Sequence, residues 1–205
     1  MVMDILYVVI FSYLCGSIPF GFIITKYFAG RDLRKLGSGN IGATNVLRTG
    51  KKFLAASTLV LDIAKGYVPV ILTQKYFPEL VHLSCLITFL GHIFPVWLKF
   101  SGGKGVATYL GILIALSYEL SLLFIFTWIV VTLIFKYSSV SSMFAAMTVF
   151  VVALIKETTL RSININFNDS LDLRIILLIF FILIIFTHRK NILNLKNRRE
   201  TKIKL

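Results

Sequence analysis

Seven long apolar segments, separated by short polar stretches, constrain this 205-residue chain more than any other feature. They cover approximately residues 5–28, 53–73, 80–100, 106–117, 120–135, 143–155 and 175–187. With 57% hydrophobic and 15% charged residues, the composition is typical of a polytopic membrane protein and excludes an ordinary soluble domain. The sequence therefore predicts an all-α integral membrane protein with seven transmembrane helices, and residues 1–205 are predicted to form one transmembrane domain.

Several of these segments are shorter than the roughly 20 residues that a helix needs to cross the hydrocarbon core, which predicts tilted or partial spans. Residues 106–135 allow either two short helices or one long broken helix. Pro95 predicts a kink in the third segment. In the second segment, Asp62 and Lys65 are spaced as neighbours on a helix, which predicts an internal ion pair; lining of a site is the alternative.

The distribution of Lys and Arg predicts the orientation of the chain. The tail, residues 188–205, holds seven cations and one acid, so it is predicted to be cytoplasmic. With seven spans the N-terminus is then outside, and the polar segments 29–52, 101–105 and 136–142 lie inside. These segments and the tail, with Lys26 and Lys99 at the span ends, hold 17 of the 22 cations. The net charge of +13 is thus explained by topology, and no nucleic-acid partner is predicted.

Other residue types indicate what the chain lacks. Cys15 and Cys85 fall in apolar segments, which predicts buried thiols without a disulfide. The N-terminus lacks the basic region of a signal peptide, so the first segment is predicted to be a retained span. Because no His, Cys or carboxylate cluster has the spacing of metal ligands, neither a metal nor a cofactor is predicted.

The first polar loop, residues 37–52, has the spacing Gly37-x-Gly39-x-x-Gly42. That spacing marks a dinucleotide site only between a strand and a helix, so a Rossmann unit is excluded here. Glycines nevertheless allow backbone amides to form an anion-binding nest, and Arg48 can clamp phosphate oxygens. The candidate side-chain donors are Ser38, Asn40, Thr44 and Asn45. The sequence predicts an anion site between Ser38 and Arg48, whereas the remaining cations of this region mark the cytoplasmic side: Arg31, Arg34, Lys35, Lys51 and Lys52.

A second loop places Gly102, Gly103 and Gly105 around Lys104, immediately before an apolar segment. It does not match the Walker A pattern, but a lysine before a helix N-terminus favours a phosphate site. A tight turn with a snorkelling lysine is the alternative. At the end of the last segment, His188 and Asn191 lie three residues apart and are predicted to join a cytoplasmic anion site. By contrast, His82 and His92 are interpreted as structural.

Six blocks of the sequence resemble one family along nearly the whole chain: residues 16–21, 38–48, 61–66, 91–108, 139–142 and 188–191. The chain is similar to the bacterial membrane glycerol-3-phosphate acyltransferases that use acyl-phosphate as donor. This resemblance implies a multi-pass enzyme of the inner membrane with a cytoplasmic active site. The implied reaction transfers an acyl group to position 1 of glycerol 3-phosphate, giving lysophosphatidate and phosphate, the first acylation of phospholipid synthesis. It also implies a functional link to an enzyme that makes acyl-phosphate.

The resemblance assigns site residues by position. The catalytic, acyl-phosphate-binding motif corresponds to Ser38, Gly39, Asn40, Gly42, Thr44, Asn45 and Arg48. Glycerol 3-phosphate binding is assigned to Gly102, Gly103, Lys104, Gly105, Ser142, His188 and Asn191. A terminal glutamate of the family matches Glu200, although Lys190 and the pair Arg198 and Arg199 depart from the family pattern.

An acyl-phosphate is already activated, so direct transfer without a covalent enzyme intermediate is expected. Lys104 and His188 are predicted to orient glycerol 3-phosphate, and Arg48 to hold the acyl-phosphate, whose acyl chain lies between helices in the bilayer. The proton acceptor is either His188 or a substrate phosphate oxygen. A transporter for a phosphorylated metabolite is the main alternative, but no internal repeat is found. A thioester-using acyltransferase is disfavoured, because no histidine is followed by Asp at the fifth position.

Overall fold

The computed structural model describes residues 1–161 and 170–203, with side chains for 1–155 and 173–203. All regular structure in these residues is helical, as the sequence predicts. The α-helices are α1 Val2–Ser17, α2 Phe20–Ala29, α3 Ala43–Leu47, α4 Lys52–Tyr76, α5 Val81–Ile93, α6 Val106–Leu116, α7 Tyr118–Phe135, α8 Ser138–Arg161, α9 Ser170–Thr187 and α10 Arg189–Lys196. Three short 3-10 turns lie at Leu33–Lys35, Pro78–Leu80 and Val96–Leu98.

Within the part of the chain that the structure describes, five helical segments are long and apolar enough to cross a membrane. They are Val2–Ala29, Lys52–Tyr76, Pro78–Leu98, Tyr118–Phe135 and Ser138–Ile155. A sixth is obtained if Leu173–Thr187 and Arg189–Lys196, which meet at a bend of 54°, count as one span. Helix α6 is apolar but has only 11 residues. The prediction of a membrane protein with several apolar helices is therefore confirmed. The number of seven spans, and the side of the membrane on which each terminus lies, remain predictions.

The helices differ from the predicted segments where a proline or a polar residue interrupts them. Within the first segment, α1 ends at Ser17 and α2 begins after Pro19, which has no N–H to donate. The predicted break near Pro95 is confirmed, because α5 ends at Ile93 and a 3-10 turn follows Pro95. Residues 106–135 form two helices, with Ser117 in an extended conformation between them.

The stretch 136–142, predicted to be a loop, is mostly helical because α8 already begins at Ser138, and its cytoplasmic position remains a prediction. The serines of this stretch lie in the first turns of the helix. Ser141 donates a hydrogen bond to the Tyr137 carbonyl and Ser142 donates one to the Ser138 carbonyl, at 2.9 and 2.8 Å. A serine hydroxyl that bonds the carbonyl four residues earlier is compatible with a helix, so a serine-rich stretch need not be a loop.

The chain divides into two compact units, Met1–Ser117 and Tyr118–Leu205, and the single domain remains a prediction. In the first unit, α4 is central and contacts α1, α2, α3, α5 and α6. Glycines allow the closest approaches. A Cβ on Gly66 would overlap the Thr108 carbonyl oxygen between α4 and α6, and one on Gly16 would overlap the Thr88 carbonyl oxygen between α1 and α5. Small residues at such crossings let helix backbones pack closely in a membrane.

The predicted ion pair inside the second segment is confirmed. Lys65 Nζ lies 2.8 Å from Asp62 Oδ1, and both side chains are about 3% exposed. Lys65 also donates a hydrogen bond of 2.7 Å to the Ile18 carbonyl. That carbonyl lies at the break between α1 and α2, where the helical hydrogen-bond ladder is interrupted. The buried lysine therefore satisfies both an intramembrane carboxylate and a helix break.

In the second unit, α8 contacts α7 and α9, and α10 contacts α9. Polar side chains link α7 to the start of α8: Thr132 donates a 2.7 Å hydrogen bond to Ser141, and Trp128 donates a 3.2 Å hydrogen bond to Ser142. Phe150 of α8 stacks on Phe181 of α9, with ring centroids 6.3 Å apart. These contacts fix the first turns of α8, where Ser139, Ser141 and Ser142 are buried.

Candidate functional site

One buried side chain, Asn45, organises the first glycine-rich loop. Its amide nitrogen donates to the carbonyls of Leu33, Leu36 and Asn40 at 3.2, 2.9 and 2.8 Å. Its amide oxygen accepts from the Ser38 N–H at 3.1 Å. The side chain is 2% exposed, so these bonds form where water does not compete with them. Asn45 therefore serves the backbone of the loop and does not present its amide to a ligand.

The backbone amides of this loop are also used internally. The Ser38 N–H bonds Asn45, the Gly39 N–H bonds the Leu36 carbonyl at 2.9 Å, and the Gly42 N–H bonds Asn40 Oδ1 at 3.3 Å. These three amides are therefore engaged within the loop, and an anion-binding nest of other amides in this loop remains a prediction. The loop instead displays side chains, because Ser38 and Arg48 are exposed and Thr44 is half-buried. An anion site formed by these hydroxyl and guanidinium groups remains a prediction.

Gly37 brings the two ends of the loop together. It has φ +52°, in the left-handed region that favours glycine, and a Cβ would overlap Asn45 Oδ1 and approach Arg48 Cδ to 3.2 Å. The start of the loop therefore lies directly against the side chain of Arg48. This contact places the exposed Ser38 and Arg48 on the same part of the first unit.

The second loop is fixed from beneath by the end of α5. Gly102 donates its N–H to the Ile93 carbonyl at 3.0 Å, and Gly103 donates to the His92 carbonyl at 3.1 Å. A Cβ on Gly103 would overlap His92 Nε2, and one on Gly105, at φ +82°, would overlap the Phe89 ring. These glycines are required by packing, and two of their amides point into the protein.

Lys104 stands where the second loop enters α6. The lysine is half-buried, and α6 has no side-chain cap at Gly105. The first N–H groups of a helix have no intrahelical partner, and the positive end of the helix dipole favours an anion. A half-buried ammonium next to an uncapped helix start is a favourable site for a phosphate group. Phosphate binding at Lys104 remains a prediction.

The imidazole of His92 lies between the second loop and α6. Its Nδ1 is 2.9 Å from Thr108 Oγ1, and its ring faces Gly103. At 3% exposure the side chain is buried, in agreement with the structural role predicted for it. The sequence did not indicate that this histidine supports the lysine loop. His92 and Gly103 are eleven residues apart and lie in different elements, so neither helical nor strand periodicity in the sequence indicates that they are in contact.

The two glycine-rich loops share an apolar cluster in the first unit. Ile41 and Val46 of the first loop, with Leu33 of the 3-10 turn before it, pack with Leu98, three residues before the second loop, and with Ala55 of α4. Leu33 and Val46 are completely buried. Burial of aliphatic side chains is the main favourable contribution to such packing. The cluster therefore brings the candidate acyl-phosphate loop and the candidate glycerol 3-phosphate loop to the same region of the unit.

In the second unit, His188 occupies the bend between α9 and α10. It is 1% exposed, and its Nδ1 lies 2.8 Å from the Ile184 carbonyl oxygen. A carbonyl can only accept a hydrogen bond, so Nδ1 carries the hydrogen. In the neutral imidazole, Nε2 is then the basic nitrogen. The local backbone thus selects the tautomer in which Nε2 can accept a proton.

Glu200 ties the tail to two other elements of the second unit. Its Oε1 accepts hydrogen bonds from Ser139 Oγ at 2.9 Å and from Asn191 Nδ2 at 2.6 Å. Farther along, the Ile203 N–H donates to the Lys136 carbonyl at 2.7 Å. Glu200 therefore positions Asn191, and Ser139 is a member of this network that sequence reasoning did not single out. Ser142, one turn later, donates to Ser138 and accepts from Trp128, so its hydroxyl is engaged within the unit.

Cys15 and Cys85 are free thiols; Cys85 is buried, as predicted, whereas Cys15 is half-buried. Over the described side chains, no group of three or more His, Cys, Asp and Glu residues is arranged to hold a metal ion.

A family model described as glycerol-3-phosphate acyltransferase matches residues 6–198. The chain belongs to the glycerol-3-phosphate acyltransferase family. A glycerol-3-phosphate acyltransferase of Pelagibacter ubique is 49% identical over 99% of this chain and 100% of the relative. One of Wolbachia, from Brugia malayi, is 46% identical over 95% of this chain and 96% of the relative.

Solved structures agree with this family membership. The chain is similar to a crystal structure of PlsY, an integral membrane glycerol 3-phosphate acyltransferase, in its glycerol 3-phosphate form. The TM-score is 0.87 at 35% identity, covering 98% of this chain and 96% of that one. The lysophosphatidic acid form of PlsY gives a TM-score of 0.85 at 33% identity, covering 98% and 95%. The family predicted from the sequence motifs is confirmed.

For this member of the acyltransferase family, the structure sorts the predicted site residues into two groups. Exposed or half-buried side chains that a substrate can reach include Ser38, Thr44, Arg48 and Lys104. Buried residues that shape the loops include Asn45, Gly103 and Gly105 in the first unit. In the second unit, His188, Asn191 and Ser142 are buried and have partners within that unit. The individual roles of all these residues remain predictions.

Proposed function

We propose that this chain transfers a fatty acyl group from acyl-phosphate to position 1 of glycerol 3-phosphate, giving lysophosphatidate and phosphate. The observation that carries the proposal is the match to glycerol-3-phosphate acyltransferases across residues 6–198. The glycerol 3-phosphate and lysophosphatidic acid forms of the similar PlsY structures support the acceptor and the product. The acyl-phosphate donor is supported by the family that motif 38–48 resembles.

The second loop is proposed to bind the acceptor. Lys104 and the uncapped start of α6 hold the phosphate of glycerol 3-phosphate, and Gly102, Gly103 and Gly105 set the path of the backbone. An ammonium group and helix N-terminal amides both favour a doubly charged phosphate. Glycerol 3-phosphate binding by Ser142, His188 and Asn191 of the second unit is part of the same proposal, with Glu200 positioning Asn191.

The first loop is proposed to hold the donor. Arg48 binds phosphate oxygens through its guanidinium, and Ser38 and Thr44 stabilise charge that develops as the acyl carbonyl is attacked. Asn45, Asn40 and Gly42 hold the loop in shape, and Gly39 provides a left-handed turn at φ +71°. Because the amides of Ser38, Gly39 and Gly42 are engaged, catalysis here depends on side chains more than on a backbone oxyanion site.

The chemical step requires no covalent enzyme intermediate. The 1-hydroxyl oxygen of glycerol 3-phosphate attacks the acyl carbonyl carbon, a new ester bond forms, and the bond to phosphate breaks. The hydroxyl proton passes either to His188 Nε2, which the Nδ1 hydrogen bond leaves as the basic nitrogen, or to an oxygen of the departing phosphate. Holding the two substrates together supplies much of the rate acceleration.

We further propose a multi-pass position in the inner membrane, with the N-terminus outside and the catalytic loops and tail in the cytoplasm. Supporting observations are the cationic tail and the cations of residues 29–52. An enzyme that produces acyl-phosphate is the proposed functional partner.

Purified protein in detergent, mixed with acyl-phosphate with and without glycerol 3-phosphate, tests the reaction. Release of phosphate and formation of lysophosphatidate are measured together. Phosphate release should require glycerol 3-phosphate and match lysophosphatidate in amount. Release that ignores glycerol 3-phosphate, or no release, would contradict the proposal.

Two substitutions test the residue roles. Lys104→Ala should raise the KM for glycerol 3-phosphate at least tenfold, since loss of a charge-assisted hydrogen bond costs about 1.5–3 kcal/mol. Lys99→Ala, in the exposed turn before the loop, is the matched control and should leave KM unchanged. His188→Ala that keeps near-normal kcat at saturating substrates would assign the proton to the substrate phosphate, whereas a large loss of kcat would favour His188.

A further inference from the structure

A depression of about 390 Å³ lies in the first unit, at the end of α2. It is lined by Phe22, Lys26, Gly30, Arg31, Asp32 and Arg34. Three of these six residues are cations and one is an acid. None belongs to the residues proposed to bind either substrate, so the depression, called the α2 pocket below, has no role in the proposed reaction.

A sharp turn of the backbone builds the α2 pocket. Gly30 ends α2 with φ +62°, a left-handed conformation that returns the chain toward the helix it has just left. The guanidinium of Arg34 then lies 4.8 Å from the centre of the Phe22 ring, and Lys26 Nζ lies 5.7 Å from the same ring. Lys26 and Arg34, eight residues apart in the sequence, thus both contact the Phe22 ring.

Asp32 holds Arg34 in place. Its two carboxylate oxygens accept hydrogen bonds from Arg34 Nε and Nη2, at 3.0 and 2.8 Å. These bonds from the guanidinium lower the pKa of Asp32 to about 2, so the pair persists through the neutral pH range. A carboxylate that occupies one edge of the guanidinium leaves the remaining N–H groups for another acceptor.

The other two cations lack such a partner. Among the side chains that the structure describes, neither Lys26 nor Arg31 forms an ion pair with a carboxylate. The lining therefore carries an excess of positive charge in a concave surface. Like charges gathered in a cleft raise the local concentration of anions.

The position of the α2 pocket indicates which anions reach it. It lies at the end of the first candidate span, Val2–Ala29. Beside it, Tyr27 and Phe28 are 77% and 73% exposed. Exposed aromatic side chains at a span end are typical of the interface between the bilayer and water, where lipid headgroups lie. Basic pockets at this depth are suited to phosphate groups of anionic lipids.

We infer that the α2 pocket binds a phosphate group, and that its source is the headgroup of an anionic phospholipid of the surrounding bilayer. Lys26 and Arg31 contact the phosphate oxygens, Arg34 adds a donor from its fixed position on Asp32, and Phe22 forms the floor. The site is independent of the proposed acyl transfer. A soluble phosphate is the other source of the same chemistry, and the experiment separates the two.

The test measures lipid retention by the full chain with native mass spectrometry. Protein purified in mild detergent is mixed with phosphatidylglycerol or with phosphatidylcholine, and bound lipids are counted. The double variant Lys26→Gln and Arg31→Gln should retain about tenfold less phosphatidylglycerol, with phosphatidylcholine unchanged. The control, Lys51→Gln with Lys52→Gln, removes the same charge from exposed lysines outside the pocket and should match the unmodified protein.

Equal retention by the two double variants would overturn the inference, because charge in general would then explain binding. In a second arm, inorganic phosphate and glycerol 3-phosphate are titrated into protein that holds phosphatidylglycerol. No displacement supports the lipid as the source, and displacement by either soluble anion supports a soluble phosphate as the occupant. The single variant Arg31→Gln repeats the comparison if the double variant lowers the yield, since the Arg31 side chain is exposed.

Discussion

The two glycine-rich loops of the first unit have similar compositions and are held by different interactions. In the first loop, Gly37 and Gly39 have positive φ, and the side chain of Asn45 bonds the backbone from within the loop. In the second loop, Gly102 and Gly103 lie outside the left-handed region and are required because α5 lies directly beneath them. The first loop is thus stabilised by its own polar groups, and the second by the rest of the unit.

This difference determines how each loop should respond to substitution. A loop held from within depends on one polar side chain and tolerates added volume where its surface is open. The second loop packs directly against the buried His92 imidazole. An added side-chain atom at Gly103 is therefore not tolerated, even though the backbone torsions there suit any residue. The comparison is therefore tested most directly by placing the same methyl group on a glycine of each loop.

The largest expected effect is that of Gly103→Ala. The added methyl would overlap the buried His92 ring, and displacement of Lys104 by about 1 Å should lower kcat/KM for glycerol 3-phosphate by about 100-fold. Gly42→Ala is the matched variant, because its nearest neighbour, Asn40 Oδ1, would lie 3.9 Å away and its φ is −83°. It should change activity by less than about threefold. A comparable loss in both variants would contradict the proposed difference between the loops.

A second comparison removes charge from the exposed side of the first loop. Arg48→Ala should lower kcat/KM for acyl-phosphate by about 30-fold, since a charge-assisted hydrogen bond contributes about 2 kcal/mol. Lys52→Ala removes an exposed cation at the start of α4 and should leave the rate within about twofold. Steady-state assays with varied acyl-phosphate measure both. An Arg48 variant with normal kinetics would exclude this guanidinium from donor binding.

A third comparison tests the internal support of the first loop. Asn45→Ala should lower the free energy of unfolding by about 1.5 kcal/mol, because it removes the buried amide that bonds the Ser38 N–H and the carbonyls of Leu36 and Asn40. Asn40→Ala loses one 3.3 Å bond to the Gly42 N–H in a half-buried position and should cost less than about 0.5 kcal/mol. Thermal unfolding in detergent measures both variants. Equal stabilities would show that the loop does not depend on Asn45.

The smallest expected effect concerns the support of the second loop. Thr108→Val keeps the shape of the side chain and removes the hydrogen bond to His92 Nδ1, which should cost about 1 kcal/mol of stability. Its counterpart in the first loop, Thr49→Val, removes a bond to the Val46 carbonyl in a half-buried position and should cost less. Thermal unfolding compares the two, and a larger cost at Thr49 would reverse the predicted order.

The sequence was informative where a local pattern carries the signal. Apolar segments predicted the helices, Pro95 predicted a break that the structure contains, and the spacing of Asp62 and Lys65 predicted their ion pair. Prediction from the sequence was wrong where a residue type, here serine, is common both in loops and in the first turns of helices. The serines at 139–142 suggested a loop, and they lie in the first turns of α8, where the Ser141 and Ser142 hydroxyls bond carbonyls four residues earlier.

Sequence alone determined the membrane-protein class, the family and the stretches that carry the candidate site, because hydrophobic runs and family motifs are properties of consecutive residues. Only the tertiary structure decided which polar groups in those stretches are available. The Asn45 amide is used by Leu33 and Leu36, the Gly103 backbone lies against His92, and Lys65 reaches the Ile18 carbonyl 47 residues away. A buried polar group must find a partner wherever the fold supplies one, and that partner is set by packing in space.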